Sequence, residues 1–316
     1  MDISFILFIA FASAATLQLF FYLGIFSRTM ATPKTYTPSK AGISVIICAR
    51  NNYTFLEEHL DLILNQKHPD FEVIVVNDGS TDGTIDFLDT KAKEHARLKV
   101  LHLDIDERFH RGKKFAQTIG IKAAAHELMV FTDADCAPAS DQWLNIMSKH
   151  MTPDKSIVIG VGNYKRKASF TNWIIQLETF HSLMLYINFA LAKMPYMGVG
   201  RNLSYKRSLF FSVKGFASHQ HLLSGDDDLF VNETGTKANV NVCLDPNAFT
   251  ISEPKASFGQ WMTQKKRHYS TGKMYKFYHR FVLALYSFSL LFYYILGTLA
   301  ILDEQFLIPV LAIIGF

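Results

Sequence analysis

Cysteine is nearly missing from this chain: three in 316 residues, Cys48, Cys136 and Cys243, with no paired spacing. Such scatter makes neither a disulfide framework nor a zinc site, and it suits a reducing compartment. Also missing is a G-x-G-x-x-G at the first strand-to-helix turn, which reads ARNNYT with no glycine. The later GVGRNL (198–203) lacks the third glycine and a preceding strand, so dinucleotide binding is not expected. A dominant charge is lacking too: 32 Lys and Arg face 28 Asp and Glu, a formal +4, and no nucleic-acid motif accompanies the bases. No internal repeat or low-complexity tract is present.

Apolar residues are plentiful instead, at 49% of the chain with 14% aromatics, ample for a packed core. They concentrate near the ends. ISFILFIAFASAATLQLFFYLGIF (3–26) and FVLALYSFSLLFYYILGTLAIL (281–302) each run about twenty residues without a charge, the length of a bilayer-spanning helix. A cleaved leader is the alternative for the first run, with ASA at 12–14 as its small-residue site. The MDIS start has no basic region and the apolar stretch continues past that site, so an uncleaved transmembrane helix over 1–27 is expected. Arg28, Lys34 and Lys40 follow it and Asp2 precedes it, an asymmetry that places residues 28–280 on the cytoplasmic side. Bases gather again at KRK (165–167), KKRH (265–268), Lys273, Lys276 and Arg280, as on a surface facing anionic lipid. The last run, FLIPVLAIIGF (306–316), is too short to span, so residues 281–316 read as a C-terminal membrane region, re-entrant or truncated.

Between the ends, short β-rich apolar runs alternate with helical periods. GISVIICA (42–49) is continuous, as a strand buried on both faces is; TFLEEHLDLIL then repeats Phe55, Leu56, His59, Leu60, Ile63 and Leu64 on one helical face. FEVIVV, LKVLHLD and ELMVFT follow, each separated by a helical stretch. This β-α-β-α-β-α-β order predicts an α/β fold with a doubly wound, mostly parallel sheet. Ligands of such sheets bind beyond the strands' carboxyl ends, so polar clusters at Arg50–Asn52, Asn77–Ser80 and Asp133–Asp135 are expected to share one crevice. Residues 170–194 have a helical period interrupted by Asn172, Gln176, Glu178, His181 and Asn188, and read as a helix at a membrane interface or along a groove.

FTDADCAP (131–138) closes the fourth strand with two acids at i and i+2, which in an extended chain point the same way. Paired hard oxygens suit Mg²⁺ or Mn²⁺ completed by substrate phosphates. Alone, the pair reads as a turn, or as a cap for the helix starting near Ser140. It is accompanied, in order, by Asp78 in VIVVNDGSTDGT, Lys113 in GKKFAQTIGIKAA, SGDDDLF (224–230) and QKKRH (264–268). This series resembles the inverting glycosyltransferases of family 2, in the membrane-anchored bacterial branch related to cellulose, chitin and hyaluronan synthases, over roughly residues 40–280.

The resemblance implies a GT-A fold over 40–257, a nucleotide-sugar donor (uridine first, guanosine next), and Mn²⁺ or Mg²⁺. Carried over by position, Ala49, Arg50 and Asp78 border the nucleoside, Lys113 lies near the donor, and Asp133 and Asp135 hold the cation. SGDDDLF matches the motif that supplies the general base, with Asp227 first and Asp226 next. Gly200, Arg201 and Asn202 match the acceptor floor. Gln264 and Arg267 match the diphosphate-contacting pair of Q-x-x-R-W, on an amphipathic helix expected over 258–280. His268 replaces that motif's Trp, which favours single transfers over processive synthesis and leaves Trp261 as the neighbouring aromatic surface for acceptor. Asn52 stands where relatives often carry Glu. The expected partners are a nucleotide-sugar, a lipid-linked or glycan acceptor and the membrane, with no nucleic acid, at a bacterial inner membrane. The competing class is an inactive scaffold of the same fold, which has no physical need of the complete acidic set.

Overall fold

The computed structural model describes residues 3–31, 41–103, 112–301 and 306–314. Asp2, Lys34 and Lys40, used above for orientation, lie outside them. The chain divides into two units, Pro33–Tyr275 and a terminal unit of Met1–Thr32 with Lys276–Phe316.

The helices in chain order are α1 (Ile3–Phe20), α2 (Tyr53–Leu64), α3 (Thr84–Glu94), α4 (Lys113–Ala123), α5 (Trp143–His150), α6 (Phe170–Leu191), α7 (Arg207–Ser212), α8 (Asp228–Thr234), α9 (Phe258–Tyr269), α10 (Phe277–Ile301) and α11 (Leu307–Ile314). The first strands are β1 (Ile43–Ala49), β2 (Phe71–Asp78), β3 (Leu98–Leu103), β4 (Leu128–Asp133) and β5 (Cys136–Pro138). They are followed by β6 (Ile157–Ile159), β7 (Gly162–Tyr164), β8 (Leu203–Lys206), β9 (Val240–Val242) and β10 (Thr250–Ser252).

In the larger unit the main sheet runs β3-β2-β1-β4-β8-β6-β9. Its first four strands are parallel, as the alternating pattern predicts. Beyond β4 it changes direction: β8 is antiparallel to both β4 and β6, and β9 is parallel to β6. Ile43, Val45, Ile47, Val73, Val75 and Val130 are fully buried at the centre, and Leu56, Leu60, Ile63 and Leu64 of α2 pack on them. Each such side chain contributes about 1.5–3 kcal/mol through removal from water. On the other face α4 approaches closely at Gly120, where a Cβ would stand 2.8 Å from Ile46 Cγ2. A second sheet, β5-β10-β7, starts at Cys136, so the turn holding Asp135 is fixed between β4 of one sheet and β5 of the other.

The helix expected over 258–280 is shorter. It ends at Tyr269, followed by a 3-10 turn over Thr271–Met274. Ser270 and Thr271 turn their hydroxyls onto the carbonyls of Arg267 and His268, both at 2.7 Å, and Thr271 also bonds the Asp228 carboxylate. These local bonds compete with helix continuation.

In the terminal unit, α1 and α10 pack through small and aromatic groups. Phe11 stacks on Tyr293 at 5.5 Å and fills the space that Gly297 leaves open. Gln18 donates to Tyr286 O at 3.1 Å and Ser289 Oγ at 2.8 Å, so the polar side chain within the apolar run is engaged inside the unit. Regular α-helix stops at Phe20, short of the expected residue 27, and continues as a π turn (Phe21–Ile25) and a 3-10 turn (Phe26–Ala31). There Ser27 Oγ and Arg28 Nε turn back onto the carbonyls of Leu23 and Gly24. By length and composition, Ile3–Met30 and Phe277–Ile301 are each long and apolar enough to cross a membrane.

Candidate active site

Register brings the strand-end acids together. Cys48 on β1 lies opposite Asp133 on β4, and Ala49 opposite Asn77 on β2, so Asp78 and Asp133 flank the end of β1. With strands about 4.8 Å apart, the two stand within about 10 Å. Burial pushes the Cys48 thiol between them up to about 12, with Lys113 opposing and the charges of Asp226, Asp133 and Asp78 adding to the rise. All four charged groups therefore surround the same strand end.

Lys113, at the start of α4, joins two of them. Its Nζ is 2.7 Å from Asp133 Oδ1 and 2.9 Å from Asp226 Oδ2. Burial opposes its charge, but Asp133, Asp226 and Asp227 overcome that and hold the ammonium well above the ordinary lysine value. Burial likewise resists ionisation of Asp133; Lys113, then Arg201 and Arg267, outweigh it and keep the carboxyl below its usual range. Asp135 goes the other way, raised by burial and by the charge of Asp133.

That unevenness tests the fit of a cation. Ligand atoms of Asp133, Asp135 and Cys136 lie within 4.8 Å of one another. Cys136 is fully buried, its Sγ is 2.8 Å from Ser252 Oγ, and burial raises its thiol pKa, so it is a poor ligand. Two hard carboxylates remain, one already paired and one short of countercharge, and they fit a Mg²⁺-like or Mn²⁺-like ion.

The three acids of SGDDDLF divide their work. Gly225, at φ +105°, turns the chain into them, a conformation that favours glycine. Asp226 is buried against Lys113. Asp228 is buried too, accepting from Leu229 N at 2.8 Å, Tyr275 OH at 2.9 Å and Thr271. Asp227 caps α8: its Oδ1 accepts from Asp228 N at 2.7 Å and its Oδ2 from Gly200 N at 2.6 Å. No salt bridge reaches it among the described residues. Burial, then the charges of Asp226 and Asp228, raise its pKa to about 7, with Lys113 and the Gly200 amide only partly offsetting.

Gly200 belongs at this contact because a Cβ would stand 3.3 Å from Asp227 Oδ2 and 3.4 Å from Lys113 Nζ. The Arg201 carbonyl is pinned by the hydroxyls of Thr132 and Thr250, each at 2.9 Å. Its guanidinium lies over the Tyr164 ring, 4.2 Å from the centroid, and donates to Asn163 O. Asn202 is placed differently from the acceptor-floor expectation. Fully buried, it accepts from Trp143 Nε1 at 3.1 Å and donates to the carbonyls of Val161 and Ala248 at 3.0 and 2.7 Å, so its side chain ties backbone segments together inside the unit.

On α9, Gln264 Nε2 donates to Tyr164 OH at 3.4 Å, and Arg267 lies close enough to lower Asp133. His268 is exposed on the same helix. Trp261 is buried against Phe258, which removes it as an open aromatic platform. On the opposite side Ala49 is buried, leaving only its backbone to face a ligand, and Arg50 is exposed. Their loop is laced to the one after β2. Asn51, at φ +52°, accepts from Thr81 N at 2.8 Å and donates its own N–H to Ser80 Oγ at 2.9 Å. The sequence motifs did not single out Tyr164, Thr132 or Thr250. Each acts through Arg201, and residue-type spacing carries no mark of that contact.

Comparison with known proteins agrees with this architecture. The model of Glycosyl transferase family 2 matches residues 44–214, more than half of the chain. The glycosyltransferase EpsJ of Bacillus subtilis is 29% identical over 132 residues, 42% of this chain and 37% of that protein. The poly-beta-1,6-N-acetyl-D-glucosamine synthase of Staphylococcus epidermidis is 29% identical over 138 residues, 43% of this chain and 32% of that one. The matches thus span about a third of these relatives' lengths. Among solved structures, the mannosyltransferase PcManGT of Pyrobaculum calidifontis, in complex with GDP-Man and Mn²⁺, superposes with a TM-score of 0.68 at 19% identity, over 99% of this chain and 90% of that one. That likeness establishes a shared GT-A-like fold.

Proposed function

The chain belongs to glycosyl transferase family 2, and from that premise we propose that it transfers a sugar, with inversion, from a nucleotide-sugar to an acceptor hydroxyl. The observation that carries this reading is the contrast within the acids: Asp133 ionised against Lys113, Asp227 near neutrality with no cation bonded to it. Two carboxyls held at different pKa values in one mouth suit two tasks, charge binding and proton acceptance.

The acceptor oxygen attacks the anomeric carbon as the bond to the diphosphate oxygen breaks, and the nucleoside diphosphate departs with the electron pair. Asp227 takes the hydroxyl proton, its carboxylate aimed by the Gly200 and Asp228 amides. Lys113 and Arg267 act on Asp133 with positive charge and suit the departing diphosphate, and Arg201 adds to that charge from the acceptor side. Asp133 and Asp135 would hold a divalent cation, whose chemistry there is neutralising the charge that develops on the leaving group. Asp78, Ala49 and Arg50 border the nucleoside, which is uridine by the family resemblance, with guanosine as in the PcManGT complex the alternative. The two long apolar helices anchor the chain in a bacterial inner membrane, with the larger unit on the cytoplasmic side.

The test is incubation of membranes carrying the full chain with a panel of radiolabelled nucleotide sugars and Mn²⁺. Transfer from one donor into lipid-extractable or insoluble product is expected. Neither transfer nor donor hydrolysis with any donor would contradict the reading and favour an inactive scaffold.

A further inference from the structure

A groove of about 990 Å³ opens in the larger unit, built by one face of α6 against the strand β10 and the segment before it. Trp173, Leu177 and Phe180 lie at i, i+4 and i+7 on that face and remain 55–64% exposed, with Leu183 continuing the wall and Phe249 and Ile251 opposite. An aromatic, apolar face left open in this way marks a binding surface.

Its head end is basic. Lys165, Arg166 and Lys167 line it; the two lysines share one carboxylate, Glu253, at 2.8 and 2.5 Å, and Arg166 forms no salt bridge among the described residues. Three cations against Glu253, with Glu58 acting on Lys165 by charge alone, leave one positive charge unneutralised. This end is rigid, because Asn172 Oδ1 accepts from Lys167 N at 2.7 Å and Gln176 Nε2 donates to Tyr164 O at 2.9 Å. Within the groove, Thr179 is 92% buried by its 8% exposure, and its hydroxyl has no hydrogen-bond partner. An unpartnered buried hydroxyl lining an open groove awaits a polar atom from outside.

We propose that this groove takes a lipid phosphate: one long apolar chain along Trp173, Leu177 and Phe180, with its phosphate head at Lys165–Lys167. The groove's volume lies in the range of small-molecule sites, and its concavity suits a single chain better than a flat bilayer. Asn163 and Tyr164 line the head end and also contact Arg201, so the bound head lies next to the acceptor side of the mouth. The acceptor is thereby assigned to the anionic lipids, which rests on the transferase reading above: the P–OH oxygen of the phosphate monoester bonds the anomeric carbon as the nucleoside diphosphate leaves with the electron pair, and its proton goes to Asp227.

The experiment uses the full chain in detergent micelles and hexadecyl phosphate brominated along its chain, read by quenching of tryptophan fluorescence. Trp143 and Trp261 are buried, so Trp173 is the reporter and Trp173→Phe removes the response. Saturable quenching is expected, weakened about fivefold by Arg166→Glu, at least as much by Leu177→Asp, and tenfold or more when brominated hexadecanol replaces the phosphate. Equal binding of the alcohol, full competition by inorganic phosphate, or quenching that rises with probe without saturating, as at a membrane surface, overturns the proposal. Both substituted residues are exposed, so the fold is retained. Donor hydrolysis without lipid separates the two readings. If it persists in Leu177→Asp while transfer to a lipid phosphate falls, both hold; if lipid transfer is unchanged there, the groove assignment alone fails; if the unaltered chain binds the probe but acts on no donor, the transferase reading alone fails.

Discussion

The two sides of the mouth are built in different ways. On the proposed donor side, Asp78, Asp133 and Asp135 sit at or just past the ends of parallel strands, and Lys113 starts the helix α4. On the proposed acceptor side, Asp227 is held by backbone amides from a 3-10 turn and its own helix start, and the Arg201 carbonyl is pinned by hydroxyls from two sheets. On the first side Asp133 is paired with Lys113 while Asp135 is short of countercharge, and on the second no salt bridge reaches Asp227 among the described residues. Cations thus lower one carboxyl, Asp133, while burial and two neighbouring acids raise another, Asp227. The Lys113 ammonium acts on both, but it is bonded to Asp133, whereas at Asp227 the charges of Asp226 and Asp228 outweigh it.

The largest effect is expected from removing the donor-side acids. Asp133→Asn and Asp135→Asn should each abolish detectable transfer, and chelation with EDTA should do the same reversibly, with activity restored by Mn²⁺ or Mg²⁺. Transfer surviving EDTA would break the assignment of a cation to this side. Next comes Lys113→Met, which removes the ammonium bonded to Asp133 and acting at a distance on Asp227. It should weaken donor affinity tenfold or more by calorimetry and move the pH profile upward, because Asp227 loses its nearest cation. An unchanged profile would show that Lys113 does not set the difference.

A smaller, graded effect is the pH dependence itself. Asp227 must be ionised to accept a proton, and its pKa is raised to about 7, so the base form is lost as pH falls through that value. The transfer kcat/KM should drop about tenfold per pH unit below it and level off above. Smallest in activity but clear in stability is Asn202→Ala, which leaves the Trp143 indole and two buried carbonyls without partners. It should cost about 1–3 kcal/mol, measured by thermal unfolding of the full chain.

The same contrast governs what was legible in the sequence. The alternating pattern gives β1, β2, β4 and the apolar face of α2, because local periodicity reflects which faces a parallel sheet buries. Strand-end acids follow directly. The reversed strand β8 and the small sheet that cradles Asp135 are not legible, since three- and four-residue strands carry too little period. Asn202 looks like a site residue but bonds Trp143, far off in sequence, and that pairing leaves no trace in either segment. Trp261 at helical spacing from Gln264 is on the expected helix, yet that helix buries it. The break after Tyr269 depends on Thr271 meeting Asp228, a tertiary contact that overrides a run otherwise suited to continue.

The most direct measurement compares Asp227→Asn with Asp133→Asn in paired assays of donor binding and sugar transfer, both with Mn²⁺. The account predicts that Asp227→Asn binds donor within about twofold of the unaltered chain while its transfer rate falls about 10²–10⁴-fold, and that Asp133→Asn loses both. Full transfer by Asp227→Asn, or equal loss of donor binding in the two variants, would contradict it.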